Sequence, residues 1–183
     1  MKTEEKTLEK KTVYSGKIIN MRSDTALLPN GDKAVREVVE HPGGVAVVPI
    51  TADGEVILVE QFRYPYMENT LEIPAGKRNG KGEDPLECGK RELGEETGAT
   101  AENYTDLGKL YPTPGYCDEV IYLYAATGLS FGQSHPDEDE FLNTVRMPLD
   151  EAVQMIMRGE IHDSKTQTAI LKTYILKQRG ELI

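Results

Sequence analysis

The side chains best suited to chemistry lie between residues 91 and 96, where Arg91 is followed closely by three glutamates. Glu92 and Glu96 are four residues apart, so a helix would place both carboxylates on one stripe. Like charges at that spacing mildly destabilise a plain helix, but they make sense if a cation bridges them. Oxygen ligands alone favour Mg²⁺ or Mn²⁺ over zinc. The spacing therefore indicates a divalent-metal site, with a solvated acidic helix as the simpler alternative.

A second pair on the same helix, Arg91 and Glu95, brings opposite charges together on an adjacent stripe. This pair would hold the acidic face in place around a metal. The flanking residues predict where the helix begins and ends. Asp84 is suited to the N-cap, Pro85 to the first helical position and Gly98 to the C-terminal stop.

Apolar runs and turn residues place this helix in a mixed α+β domain. Strands are predicted at 13–19, 26–28, 35–39, 45–50, 56–59, 70–73, 104–110, 119–127 and 141–146, with further helices at 149–158 and 164–178. Asn30-Gly31 predicts a hairpin in the N-terminal part, and Asp53-Gly54 predicts a second hairpin between two buried strands. Residues 1–12 are rich in Lys, Glu and Thr, and we expect them to form a charged tail.

Composition limits the partners of the chain. Its 183 residues carry 21 basic and 31 acidic side chains, for a net charge of −10. Such a chain is a poor passive binder of long nucleic acid or anionic lipid, so a phosphate ligand would need divalent cations to hold it. The two cysteines form no CxxC pair, which is typical of a reducing, cytoplasmic setting. The sequence contains no apolar stretch long enough to span a membrane.

Taken together, the acidic helix resembles the signature of the Nudix hydrolase family, G-x5-E-x7-R-E-U-x-E-E-x-G-U, where U is a bulky aliphatic residue. The matching positions are Glu83, Arg91, Glu92, Leu93, Glu95, Glu96 and Gly98. The sequence departs from the pattern twice, since six residues rather than five separate Gly76 from Glu83, and Ala99 is small. The resemblance implies a Nudix-type α/β/α sandwich with a mixed sheet, spanning 43–183, preceded by a small N-terminal antiparallel β-subdomain at 13–42.

Other segments resemble the ADP-ribose pyrophosphatases within that family. They are Glu72-Ile73-Pro74-Ala75-Gly76, Pro114 about fifteen residues beyond the signature, and the acidic run 137–141. This resemblance implies metal-dependent cleavage of ADP-ribose, or a related nucleoside diphosphate sugar, to AMP and ribose 5-phosphate. Two alternatives remain open. One is hydrolysis of another nucleotide, such as a dNTP, a dinucleotide or an RNA 5′ end, and the other is a non-catalytic sensor of nucleotide sugars.

The resemblance also implies roles for individual residues. Two or three Mg²⁺ (or Mn²⁺) ions would be held by Glu92, Glu96 and the backbone carbonyl of Ala75, with Glu95 and Glu83 associated. Arg91 would orient the glutamates, Glu95 would support catalysis, and the general base would be Glu138 or, second, Glu140. The substrate would contact Arg36, Glu37, Phe62, Arg63, Tyr64, Pro114 and Glu119. The subdomain at 13–42 would exchange strands across a homodimer.

Overall fold

The computed structural model describes residues 2–80, 82–136 and 141–182 as a set of β-sheets with flanking helices. The strands are β1 (Lys6–Glu9), β2 (Thr12–Ser15), β3 (Asn20–Leu27), β4 (Lys33–Glu40), β5 (Gly44–Pro49), β6 (Glu55–Arg63), β7 (Glu68–Glu72), β8 (Ala75–Lys77), β9 (Ala99–Leu110), β10 (Ile121–Phe131) and β11 (Leu142–Pro148). The helices are α1 (Pro85–Thr97), α2 (Leu149–Met157) and α3 (Ser164–Gln178). Among the described residues, no helix is long and apolar enough to cross a membrane.

The central sheet has the strand order β8-β5-β10-β9, and β5 runs parallel to β10 while the other pairs are antiparallel. Strand β5 is buried along its whole length because both of its faces are covered. Val47 packs with Leu93 of α1, whereas Ala46 and Val48 belong to the larger core beneath α2 and α3. Helices therefore cover both faces, and the predicted α/β/α sandwich with a mixed sheet is confirmed.

The second sheet, β11-β6-β7, corrects the predicted hairpin around Asp53-Gly54. The turn forms, since the Gly54 N–H donates to the Thr51 carbonyl at 2.9 Å. However, β5 and β6 lie in different sheets and share one isolated bridge, Ile50 to Val56. The reason is that β5 already has β8 on one edge and β10 on the other, so it has no free edge for β6.

The N-terminal sheet is built on β3, which pairs with β4 across the predicted turn at Asn30-Gly31. The opposite edge of β3 pairs with β1 near Leu27 and with β2 near Asn20. The structure thus differs from the expected tail, because Lys6–Glu9 is a strand. All residues of β1 and β2 are exposed, so these strands are held mainly by backbone hydrogen bonds that side-chain patterning does not reveal.

Candidate metal and substrate site

Helix α1 carries the acidic residues and has the predicted boundaries. The Asp84 carboxylate accepts hydrogen bonds from the backbone N–H groups of Leu86 and Glu87, and Gly98 ends the helix in a left-handed conformation with φ of 67°. The helix turns Glu92 and Glu96 toward the protein, where they are 6% and 4% exposed. A buried carboxylate is costly unless cations or hydrogen-bond donors surround it, so their surroundings decide what the helix can do.

Arg91 joins three of the glutamates. One terminal nitrogen lies 2.7 Å from a Glu95 oxygen and 2.8 Å from a Glu92 oxygen, and Nε lies 3.7 Å from Glu83. Burial opposes the charge of Arg91, but the nearby Glu92 and Glu95 outweigh it and raise the pKa of the guanidinium. Three carboxylates thus share one permanently charged group, which fixes their relative positions.

Glu83 is also held by the loop that precedes α1. Its carboxylate accepts a hydrogen bond from the backbone N–H of Asn79 at 2.5 Å, and this bond holds the pKa of Glu83 below its usual range. The Arg78 guanidinium donates to the Glu83 backbone carbonyl from two of its nitrogens. The loop therefore keeps Glu83 ionised beside Arg91, despite the extra residue between Gly76 and Glu83.

The strand segment that faces α1 approaches the same glutamates through its backbone. The Ala75 N–H donates to Glu96 at 3.1 Å. A Cβ atom built on Gly76 would lie 2.0 Å from the Glu92 carboxyl carbon, a distance that no real side chain tolerates. Only glycine lets the strand come this close. Ala75, Gly76, Glu92 and Glu96 therefore form one compact group of oxygen-bearing residues.

This donor set fits a hard divalent cation, because it consists of carboxylates and backbone groups without sulfur or imidazole ligands. Across the described ranges, no group of three or more His, Cys, Asp or Glu side chains forms a complete ligand cluster. A cation held by Glu92 and Glu96 would therefore take its other ligands from the backbone, water or substrate. A cleft of about 570 Å³ runs beside the helix, lined by Arg91, Glu95, Phe131 and His135 among others.

Arg63, predicted to contact substrate, is bound on one side to Glu72, which the sequence analysis does not include among the site residues. Its Nε and a terminal nitrogen each donate to the Glu72 carboxylate at 2.6 Å. Thr70 donates its hydroxyl to the same carboxylate at 2.6 Å, and Lys165 donates its ammonium. The sequence did hold a signal for Glu72, since a charged residue stands between two apolar ones, Leu71 and Ile73, in a predicted strand.

Glu72 is 1% exposed, yet it is ionised. Burial alone would raise its pKa, but the hydrogen bonds from Arg63 and the charge of Lys165 outweigh burial and lower the pKa to about 2. Lys165 also lies 3.0 Å from Asp163, the N-cap of α3. Two acidic and two basic side chains therefore form a neutral, largely buried group, which we call the Glu72 cluster (Arg63, Glu72, Asp163 and Lys165).

The remaining predicted substrate residues fall into two places. Arg36 lies on β4 and donates to Glu5 at 2.7 and 2.9 Å, and Glu37 is exposed beside it. The end of β4 meets the loop that contains the exposed Pro114, through hydrogen bonds between Val39 and the backbone at 116 and 118. The Glu119 carboxylate lies 3.2 Å from the His41 imidazole at the same junction.

Phe62 and Tyr64, at the end of β6 and just beyond it, expose 52% and 76% of their surface. They are thus available for contact with a ligand or a partner chain. The two residues predicted as general base, Glu138 and Glu140, lie outside the described residues.

Comparison with known proteins agrees with this geometry. A model of the NUDIX domain matches residues 40–167, and a model of the nucleoside diphosphate sugar hydrolase N-terminal domain matches residues 5–39. The chain is 44% identical over 169 residues to the methanol dehydrogenase activator of Bacillus methanolicus, and 42% identical over 169 residues to the ADP-ribose pyrophosphatase of Bacillus subtilis. Each alignment covers 91% of both proteins. A crystal structure of an ADP compounds hydrolase matches with a TM-score of 0.84 and 26% identity, over 98% of this chain and 97% of the other.

Proposed function

This chain belongs to the Nudix family, and we propose that it is a divalent-metal-dependent hydrolase that cleaves the pyrophosphate bond of ADP-ribose or a related nucleoside diphosphate sugar. The observation that carries the proposal is the pair of buried carboxylates, Glu92 and Glu96, packed against Ala75 and Gly76. The names of the relatives support the substrate class, since a B. subtilis relative is an ADP-ribose pyrophosphatase.

The acidic residues on and beside α1 have separate tasks in this proposal. Glu92, Glu96 and the Ala75 carbonyl would hold two or three Mg²⁺ or Mn²⁺ ions, with Glu83 and Glu95 close by. When bound, the metal would supply charge neutralisation of the pyrophosphate and activation of the attacking water. Arg91 keeps Glu83, Glu92 and Glu95 in register through the contacts described above.

A general base must reach the attacking water. The base in this proposal is Glu138, with Glu140 as the second choice because Glu140 directly precedes Phe141, the start of the predicted last strand. The substrate contacts are Arg36, Glu37, Phe62, Tyr64, Pro114 and Glu119, with Arg63 acting at the rim through its remaining exposed surface. The exposed aromatic rings of Phe62 and Tyr64 support a stacking role on a nucleobase. The Arg36 guanidinium suits a phosphate or ribose contact once it leaves Glu5.

We also propose that the chain forms a homodimer through the β-subdomain at 13–42. Apolar side chains stand exposed there, namely Val13, Tyr14, Ile18, Ile19 and Val35. A surface of this kind is typical of an interaction site. Multi-angle light scattering should give twice the mass of one chain, and Val35→Glu should shift the protein to a monomer. A wild-type monomer at micromolar concentration would contradict the dimer.

We also propose that the protein is cytoplasmic, since both cysteines are free.

The function is tested by comparing substrates at saturating Mg²⁺. We expect release of AMP from ADP-ribose with a kcat/KM at least about tenfold above that for dNTPs or 5′-triphosphate RNA, a difference of about 1.4 kcal/mol in transition-state binding. Faster turnover of another nucleotide would exclude ADP-ribose as the preferred substrate. The assignment of the chain as a hydrolase would still hold. Tight binding of ADP-ribose without turnover would indicate a sensor instead.

A second candidate function is action on another enzyme, because one relative at 44% identity is named a methanol dehydrogenase activator. The test is to measure the rate of a purified methanol dehydrogenase with and without this chain. An increase that is lost in Glu96→Gln would tie activation to the hydrolytic site. An unchanged rate would remove this candidate.

A further inference from the structure

The segment Glu72–Gly76 is pinned by contacts from several parts of the fold, and these contacts form a chain that leads to the metal ligands. The Ile73 N–H donates to the Thr166 hydroxyl at 2.9 Å, and the Pro74 carbonyl accepts a hydrogen bond from Val47 at 2.9 Å. The Ala75 N–H donates to Glu96 at 3.1 Å. Each successive residue is thus bound by a different element: α3, β5 and α1.

The first residue of the segment, Glu72, is bound by the Glu72 cluster. Its carboxylate receives Arg63 from β6, Thr70 from β7 and Lys165 from α3. The cluster and Thr166 share Asp163, whose carboxylate accepts from the Thr166 N–H at 2.9 Å and from the Thr166 hydroxyl at 2.6 Å. Thr166 is completely buried, so it links the helix cap directly to the backbone of Ile73.

The charge of the cluster indicates what it does. Two carboxylates and two cations cancel, so the cluster adds no net field that could attract a metal or a pyrophosphate. It does have a fixed geometry, because a buried carboxylate with four short hydrogen bonds cannot shift without losing them. Arg63 also interacts electrostatically with Glu96, which couples the cluster to α1.

We propose that the Glu72 cluster and Thr166 are positioning residues that set where Ala75 stands relative to Glu92 and Glu96, and thereby set the affinity of the site for its divalent cation. The proposal rests on the proposed function, since it concerns the same metal site. None of these residues need touch the metal. They act through the backbone of residues 73–75, as groups behind a ligand usually do.

The experiment is a Mn²⁺ titration, without substrate, of the wild-type chain and three variants. Free Mn²⁺ is measured from its electron paramagnetic resonance signal. Thr166→Val keeps the shape but removes the hydroxyl that binds Ile73. Thr166→Ser keeps that hydroxyl. Thr173→Val is the matched control, because Thr173 lies buried on the same helix and its hydroxyl has no hydrogen-bond partner within the described part of the chain.

We expect Thr166→Val to weaken Mn²⁺ binding roughly tenfold, the lower end of effects seen for groups behind a metal ligand. Thr166→Ser and Thr173→Val should bind within about twofold of wild type. Wild-type affinity in folded Thr166→Val would overturn the proposal. Equal weakening in Thr173→Val would also overturn it, because the effect would then reflect general loosening of α3.

Lys165→Met covers the case in which Thr166→Val fails to fold. It removes one cation from Glu72 and leaves Arg63 and Thr70 in place. Thermal unfolding in EDTA checks that the variant is folded at the temperature of the titration. Weaker Mn²⁺ binding by the folded variant supports the proposal, whereas an affinity equal to that of wild type overturns it. If wild type binds Mn²⁺ but hydrolyses no nucleotide, the proposed function fails alone and the titration still tests the cluster.

Discussion

The protein buries glutamates in two places, and it surrounds them differently. Glu72 is matched by Arg63, Lys165 and a hydroxyl, so its cluster is neutral and complete. On α1, by contrast, Arg91 is shared by Glu83, Glu92 and Glu95. The first arrangement holds a backbone segment in place. The second leaves an excess of negative charge, which in the proposed function would be balanced by a divalent cation that also binds the pyrophosphate.

The largest expected effect comes from removing one charge on α1. Glu96→Gln should reduce kcat for ADP-ribose at least about 1,000-fold, since metal binding supplies several kcal/mol to the barrier and each 1.4 kcal/mol is tenfold. Its thermal midpoint in EDTA should not fall, because a buried negative charge has been removed. Initial rates and calorimetry in EDTA measure the two quantities.

The matched control on the same helix is Glu87→Gln, because Glu87 is exposed and pairs at the surface with Lys90. It should retain wild-type activity. If Glu96→Gln keeps more than about a tenth of wild-type kcat, α1 is not the metal site and the contrast with Glu72 loses its functional meaning.

The second largest effect is expected at Gly76, where an added side chain would collide with Glu92. Gly76→Ala places a Cβ 2.0 Å from the Glu92 carboxyl carbon, so Glu92 or the strand must move. We expect kcat/KM to fall roughly 100-fold and Mn²⁺ affinity to fall with it, because 1 Å of misplacement is costly at a catalytic centre. Gly82→Ala is the control, since no atom of the described residues lies within 4 Å of the added Cβ. Equal activity in both variants would show that Glu92 tolerates displacement.

The contribution of Glu72 to the free energy of unfolding should depend on pH. The pKa of Glu72 falls from its ordinary 4.5 to about 2 on folding, so its contribution to stability is complete above pH 4.5 and is lost as the pH falls toward 2. Urea unfolding in EDTA should show Glu72→Gln losing less stability than wild type between pH 5 and pH 3, by at most about 3 kcal/mol. Parallel loss in both proteins would mean that Glu72 is not the titrating group.

The smallest effect is expected at the exposed pair in the N-terminal sheet. Arg36→Ala should leave the thermal midpoint nearly unchanged, because exposed ion pairs contribute little to stability. The KM for ADP-ribose should rise several-fold if Arg36 contacts substrate. Glu5→Ala is the control, since it frees Arg36 and should not raise KM; an unchanged KM in Arg36→Ala would exclude it from the substrate contacts.

Local and long-range contacts differ in how well the sequence predicts them. The boundaries of α1 are set by Asp84, Pro85 and Gly98, which act on their own neighbours, so the sequence alone located them. The ion pair between Arg63 and Glu72 is not predicted from the sequence, because the pairing of β6 with β7 brings the two residues together and register is not visible in composition. Thr166 was missed for the same reason, since its contact with Ile73 joins residues 93 positions apart.

The separation of β5 from β6 and the strand at Lys6–Glu9 also depended on long-range choices. An edge of β5 is available or occupied only once β8 and β10 have taken their places. The strand β1 has a composition suited to solvent, and it becomes a strand because β3 offers it unpaired backbone groups. Local signals therefore predicted turns and caps, while sheet membership was decided by distant partners.

The Glu72 cluster affects how the protein responds to heating. The hydration of charged groups becomes less favourable as temperature rises, so the cost of burying Glu72 and Lys165 decreases on warming. The strands β1 and β2 are exposed along their whole length, so they should fray first on heating. The N-terminal sheet should therefore open before the segment that follows Glu72 does.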